Sequence, residues 1–361
     1  DTSVVHEVTV SFTQEDYDAM IQAYQDTGDK EWIEATVTID GETYESVGMR
    51  LKGNSSIMGL RQGGAAGMNG AGDANGVGGM NGGGRTGGAG PMSGDASFDD
   101  PESLPWLIDL DKNVDNQNHD GVVELVVRSN TSETALNEAV SLDLLREAGL
   151  ASERAVYSSF SVNGGETALR LVIENPDDMW MADNFSITGA LYKAESTGDY
   201  SYRGDDPDSY DEVFDQEAGK TNADLTPLIE FLDFINNADD ATFNAELPDR
   251  LDIDAFATYL AMQELLNNFD DIDGPGNNSY LYYDTKTETF TVVAWDHNLA
   301  FGVMGGGGGF GGMVLDGSLP EGMEIPEGMQ PPQGMQRPEA GQLPDGAVIP
   351  GAQGEAGGQG Q

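Results

Sequence analysis

Two stretches of this 361-residue chain cannot build a core, and they bound what the rest can become. From Gly59 to about Gly94 the sequence collapses to Gly, Ala, Met and Asn, and from Gly305 onward it is dominated by Gly, Pro and Met. Such sequence buries too little apolar surface to offset the entropy of ordering it, so a disordered insertion and a disordered tail are expected. One domain is therefore expected over residues 1–302, interrupted at 59–94, with a tail over 303–361. The PEGM, PQGM and EGM echoes around Met323, Met329 and Met335 are too short for a solenoid, whose repeats run about 20 to 50 residues.

Charge narrows the partners. Sixteen Lys and Arg stand against 64 Asp and Glu, a formal charge of -48. Binding nucleic acid or anionic lipid requires basic groups that displace counterions, so nucleic-acid partners are excluded. So large an excess strains a compact state by self-repulsion and points to a halophilic or cation-rich setting. The absence of cysteine removes disulfides, thiolate metal sites and thiol nucleophiles. No apolar run reaches the ~18 residues of a membrane span. The opening DTSVVHEVTVSF lacks the regions of a signal peptide, and a start at Asp1 rather than Met reads as a trimmed, exported product.

Periodicity sets the element order. Val4, Val8 and Val10 mark a strand, Gln14 to Gln25 a helix, and WIEATVTIDGETYESVGMRLKG a hairpin about Asp40-Gly41. Strands are predicted at Ser103–Lys112 and Val122–Asn130. A helix capped by Thr131 or Ser132 follows, with Ala135, Ala139, Leu142 and Leu145 on one stripe and Gly149 as its stop. Next come a hairpin about Asn163-Gly164-Gly165, a short helix near Pro176, a strand at Gly189–Ser196 and an acidic loop. Helices at about Thr226–Asn236, Thr242–Glu246 and Ile253–Asn267 precede the last hairpin. This is the layout of a two-lobed α+β protein with its site between the lobes.

The chemistry concentrates in NNFDDIDGPGNNSYLYYDTKTETFTVVAWDHNLAFG, Asn267 to Gly302. Carboxylates and an amide gathered by a short hairpin are what phosphoryl transfer uses to hold a divalent metal and orient an acceptor hydroxyl. Asp296 closes an apolar strand between Trp295 and His297, where an ionised carboxylate needs a cation or donor. Asp273 to Asn278 has the D-x-x-x-x-N spacing of kinase catalytic loops, so Asp273 rivals Asp270 as the acid/base. His297 reads better as a packed turn residue than as a base.

The segments RLKGNSS, VNGG, GALYK and WDHNLAFG, in that order, resemble the CotH family of spore-coat and secreted kinases over about Val8 to Gly302. The resemblance implies a two-lobed atypical protein-kinase-like fold, ATP with Mg²⁺ or Mn²⁺ as cofactors, and phosphorylation of serine or threonine on a coat or secreted protein. It implies an extracellular, cell-surface or spore-coat location. Carried onto this sequence, Asp270 matches the catalytic acid/base, and Asp296 and Asn278 match the metal ligands. The alternative is a catalytically inactive coat or matrix protein that keeps the fold and binds nucleotide or cations.

The family's phosphate-binding lysine ahead of a Pro-aromatic strand is absent, since Leu104 precedes Pro105-Trp106. Lys52 and Lys193 are the cofactor-binding candidates in its place, with Arg50 and Arg128 as further cations, and Glu138 is the helix glutamate expected to pair such a lysine. Gly53 to Ser56, GNSS, offers backbone donors and hydroxyls to a phosphate. Asn116, Asn118, Asp120 and Gly121 imitate the front of a calcium loop, but Val127 stands where its closing glutamate belongs.

Overall fold

The computed structural model describes residues 2–53, 55–61, 96–130, 134–185, 189–195, 198–268, 270–272 and 278–302. Nearly all of the first Gly-rich segment, the tail from residue 303, and Thr131, Ser132 and Asp273 lie outside these. The described residues belong to one compact unit.

Alternation dictates the first half. In β2 (Ile33–Ile39) every second residue of IEATVTI is apolar, and Ile33, Ala35, Val37 and Ile39 enter one core. β1 (Val5–Ser11) and β3 (Glu42–Leu51) flank it antiparallel. The β2–β3 turn at Asp40-Gly41 has positive φ at both residues, 49° and 88°, the two-residue geometry that matches strand twist. β4 (Trp106–Asp109), β5 (Glu124–Val127), β6 (Ala155–Val162) and β7 (Ala168–Glu174) complete a closed barrel in the order β1-β2-β3-β4-β5-β7-β6. A parallel β1–β6 pair seals it, which leaves no free strand edge. α1 (Gln14–Asp26) begins at Thr13, whose hydroxyl accepts the Asp16 amide at 3.1 Å, and it adds Tyr17, Met20 and Tyr24 to the barrel core. α2 (Ser55–Met58) follows β3 directly.

On one side of the barrel the alternation stops, because both faces are buried. β4 is buried at all four residues, and there Leu107, Val126, Leu171 and Ile173 turn outward. They join a second core with Leu142 and Leu145 of α3 (Leu136–Glu147) and with Trp180 of α4 (Asp178–Asn184). That core is built on a four-stranded antiparallel sheet ordered β11-β10-β8-β9, from β8 (Ala190–Ala194), β9 (Phe214–Ala218), β10 (Ser279–Asp284) and β11 (Thr289–Ala294). α5 (Thr226–Asn237), α6 (Asp240–Arg250) and α7 (Ile253–Leu266) complete the fold. Phe290 of β11 stacks on Phe231 of α5 at 4.6 Å, so Phe290, Val292 and Ala294 mark the helix-covered face of the sheet. Tyr280, Lys193 and Asp215, aligned across three strands, lie on the opposite face.

The mixed α+β class and the order of these elements match the expectation, with two corrections. The acidic stretch after Ser196 is not all loop: FDQEA forms β9, with Phe214 and Ala218 buried. Its three central polar residues hide the strand in so acidic a sequence. α3 starts at Leu136, behind Ala135 in the left-handed conformation (φ 49°), and so begins without a hydroxyl cap, although Gly149 (φ 83°) does follow its end. Asn116 to Gly121 closes on itself, the Asn118 side chain accepting the Gly121 amide and donating to the Asn116 carbonyl, both at 3.0 Å. Val127, at the closing position of the imitated calcium loop, is a barrel-core residue. No helix among the described residues is long and apolar enough to cross a membrane.

Trp106 anchors the barrel. It is fully buried, donates Nε1–H to the Pro101 carbonyl at 2.8 Å, and lies against Phe12 and Tyr17. Trp106→Ala is expected to lower stability in urea denaturation by about 3 to 5 kcal/mol; a loss below about 1 kcal/mol would show that the barrel core does not depend on it.

Candidate functional site

β11 carries the chain through the second core to Trp295 and His297, both buried, and Asp296 between them takes a left-handed conformation (φ 62°). That backbone reversal, which Asp tolerates better than most residues, directs its carboxylate away from the core. The carboxylate meets Arg128: an Nη2–H of Arg128 donates to Asp296 Oδ1, and its Nε–H donates to Glu138 Oε2 at 2.9 Å. A buried guanidinium is thus bridged between two carboxylates. Burial opposes the charge on Arg128, but Asp296 and Glu138 outweigh it and hold the pKa above its ordinary value. At Glu138 burial dominates instead and raises the carboxyl, against the pull of Arg128.

Several backbone contacts aim Arg128. Its amide donates to the Leu171 carbonyl at 2.9 Å, extending the ladder beyond β5. Its carbonyl accepts from Nε of Arg170 at 2.8 Å, while Arg170 also donates to the carbonyls of Leu104, at 2.8 Å, and Glu102. Burial lowers the Arg170 pKa to about 10, which leaves it cationic at neutral pH. From α3, the Asn137 side chain donates to the Asn298 carbonyl at 2.5 Å. The start of α3 therefore grips the Asp296 turn twice, directly through Asn137 and by way of Arg128 through Glu138.

Asp270 and Asn278 come together. Asn278 Nδ2 donates to Asp270 Oδ2 at 2.7 Å. The Asp270 carboxyl is raised by burial and then by the charge of Asp296, so these two carboxylates sense one another across the cleft. A buried amide relay ties their two loops. The Gln263 Oε1 accepts from Asn268 at 2.9 Å, which leaves its Nε2–H₂ to donate to His297 Nε2 at 3.1 Å. His297 is therefore a neutral acceptor at Nε2, and burial drives its pKa down to about 4. It packs the turn, in agreement with the sequence reading.

The lysines are placed differently from the expected ion pair. Glu138 pairs with Arg128, not with Lys52 or Lys193. Lys52, just past β3, donates its amide to the Pro105 carbonyl at 3.1 Å, and so sits beside the start of β4. Its Nζ donates to Asn175 Oδ1 at 3.1 Å and lies 5.7 Å from the Trp295 ring centroid. Burial, and then the neighbouring Lys193, lowers its pKa to about 7. Lys193 itself is held by Glu195 at 2.7 Å. Lys52, Gly53, Ser56, Arg128 and Asp296 line one small cavity between barrel and sheet, which brings the end of GNSS to the same cleft. Asp273 lies outside the described residues.

A larger cavity of about 570 Å³, lined by Leu251, Asp252, Tyr282 and Asp284, shares no residue with this cluster. Its acids serve the backbone: Asp252 accepts the Ala255 amide at 3.0 Å and Asp284 that of Lys286 at 2.8 Å. Sequence reasoning missed Arg170, Asn137, Asn175 and Gln263. Their contacts join residues far apart in the chain, and no local pattern marks them.

Residues 94–339 match the family model described as CotH kinase protein. The match begins after the first Gly-rich segment, so β1 to β3 and the RLKGNSS segment lie outside it. The inner spore coat protein H of Bacillus subtilis (strain 168) is 26% identical over 172 residues, 46% of this chain and 46% of that protein. The alignment thus spans about half the length of that relative.

Behind Glu138, Glu153 is 1% exposed, and its Oε1 has no hydrogen-bond partner. Burial first, with Glu138 and Glu174 adding to it, pushes its carboxyl up to about 8. The folded state then holds a proton that the unfolded chain releases near the ordinary value of 4.5. This contribution is full below about pH 4.5 and is lost as pH rises toward 8, a change of a few kcal/mol, roughly 1.4 per unit. Glu153→Gln is expected to raise Tm at pH 8 and to flatten this part of the pH profile; equal slopes in wild type and variant between pH 5 and 8 would refute the assignment.

Proposed function

The chain belongs to the CotH kinase protein family, and on that membership and the chemistry of its cleft we propose that it transfers the γ-phosphoryl of ATP to a serine or threonine hydroxyl. The observation that carries this reading is the convergence of Asp270, Asn278 and Asp296 from two loops tied by Gln263. The Asp296 carboxylate and the Asn278 amide oxygen offer hard oxygen donors suited to Mg²⁺ or Mn²⁺, and the repulsion between Asp296 and the nearby Asp270 is what a cation relieves. In this reading the barrel with α3 and the sheet with α5 to α7 are the two lobes of a kinase-like fold.

Asp296 and Asn278 hold the metal, which when bound neutralises charge on the phosphate oxygens. Asp270 aligns the acceptor hydroxyl and takes its proton late in the transfer. Its raised carboxyl suits that task, since a base closer to neutral pH accepts the proton more readily. Lys52 supplies the phosphate-side cation from the strand end next to Pro105, with Ser56 beside it and Lys193 facing the same cleft from β8. Arg128 with Glu138 takes the structural place of a lysine–glutamate pair. The acceptor is proposed to be a spore-coat or secreted protein, by analogy with the inner spore coat relative.

One observation favours a second reading. The carboxylate of Asp296 is engaged by Arg128, so a chain that never releases it would be a silent, fold-retaining coat protein. Incubation with γ-labelled ATP and Mg²⁺ or Mn²⁺ separates the two. Label is expected on the protein or an acidic acceptor, to be abolished by Asp296→Ala and reduced about 10² to 10⁴-fold by Asp270→Asn. Lys52→Ala is expected to raise KM for ATP. No label, together with no rise in Tm on adding nucleotide, would establish the silent reading instead.

A further inference from the structure

A second carboxylate centre lies on the barrel-facing side of the four-stranded sheet and shares no residue with Asp270, Asn278 and Asp296. β8 and β9 pair antiparallel with Lys193 opposite Asp215; Glu195 follows the end of β8, and Glu217 lies two residues beyond Asp215 at a register shift in the pairing. One carboxylate oxygen from each of Glu195, Asp215 and Glu217 lies within 4.8 Å of the other two. Two ammonium groups approach these three acids, Lys193 at 2.7 Å from Glu195 and Lys220 at 3.0 Å from Glu217. The ammonium groups of Lys52 and Lys30 also act on Glu217 and Glu195, so a cation binds here in competition with lysines. The Lys220 side chain is 57% exposed, and so exposed a pair is screened and readily displaced.

Tyr280 is an independent pointer to a ligand. It is the register partner of Lys193 on the next strand, is 1% exposed, and its hydroxyl is buried with no hydrogen-bond partner. The charges of Glu217, Glu153, Glu195 and Glu124 act on that hydroxyl, yet it donates to none of them. A buried phenol left unpaired among acids calls for an explanation, and a hydrated ion supplies one.

We propose that Glu195, Asp215 and Glu217 bind a hard divalent cation, with Ca²⁺ the best fit, and that the Tyr280 hydroxyl contacts its hydration water. An all-carboxylate donor set selects hard ions, and carboxylates that bind one- or two-fold suit the flexible shell of Ca²⁺ better than the strict octahedron of Mg²⁺. The ion displaces the ammonium groups of Lys193 and Lys220 and fastens β9 to β8. This site does not depend on the kinase reading.

Calorimetric titration of the full chain with CaCl₂ alone, without nucleotide and at about 0.15 M salt to screen surface charge, tests it. A saturable site is expected in wild type and in Asp296→Asn, and its loss in Asp215→Asn/Glu217→Gln. Tyr280→Phe is expected to weaken binding about tenfold, as the loss of an outer-shell partner does. The double variant should keep the wild-type Tm in EDTA or exceed it, and should lose the rise in Tm that Ca²⁺ gives wild type. Absence of saturable binding in wild type, equal binding by the double variant, or loss of the site in Asp296→Asn would each overturn the proposal.

Discussion

The Arg128 bridge holds the cleft in its present form. A guanidinium is tolerated at this depth only because Glu138 and Asp296 both face it, and removing one partner of such a buried set typically costs about 3 to 5 kcal/mol. Its three members come from the end of β5, the start of α3 and the turn after β11. One charge cluster therefore couples the barrel to the second core. The hydrogen bonds around it serve that coupling: Arg170 secures the Arg128 carbonyl, Asn137 secures the Asn298 carbonyl, and Gln263 joins the Asp296 turn to the loop that bears Asp270.

A chain of charge -48 spends few cations on such work, so where it buries them is informative. Arg128, Arg170 and Lys52 stand at or near the junction of barrel and sheet, and Lys193 lies on the sheet face turned toward it. Other cations, such as Arg250 with Glu246, form exposed helix or turn pairs, which contribute little. The same bias explains why the acids of this cleft differ in character. Asp270 and Glu153 are raised because burial isolates them from water, whereas the carboxylates along β8 and β9 crowd one another at a partly open surface.

The barrel was legible in outline because its hairpins carry their own signals. IEATVTI alternates strictly, and Asp-Gly and Asn-Gly at the turns supply positive φ. β9 was not legible, since FDQEA has apolar residues only at its ends and becomes a strand by pairing with β8. The start of α3 was misplaced for a similar reason: a hydroxyl upstream looks like a cap, yet the helix begins where Asn137 and Glu138 reach their tertiary partners. In the site, Asp270, Asn278 and Asp296 were singled out by the family resemblance of one short segment, whereas spacing alone pointed to Asp273 with Asn278. The identity of the cation facing Glu138 was not, because Lys52, Lys193 and Arg128 were equally plausible along the chain and differ only in where their strands end.

By itself the sequence determined the mixed α+β class and the order of most elements, because periodicity and turn residues are properties of neighbours in the chain. Tertiary structure alone decided that Arg128 pairs with both Glu138 and Asp296, that Lys52 stands beside Pro105, and that Tyr280 lies next to Lys193 across the sheet. Those relations join residues up to 168 positions apart, as Arg128 and Asp296 are. Only barrel closure and sheet register bring such groups within the few ångströms over which buried charges and hydrogen bonds act.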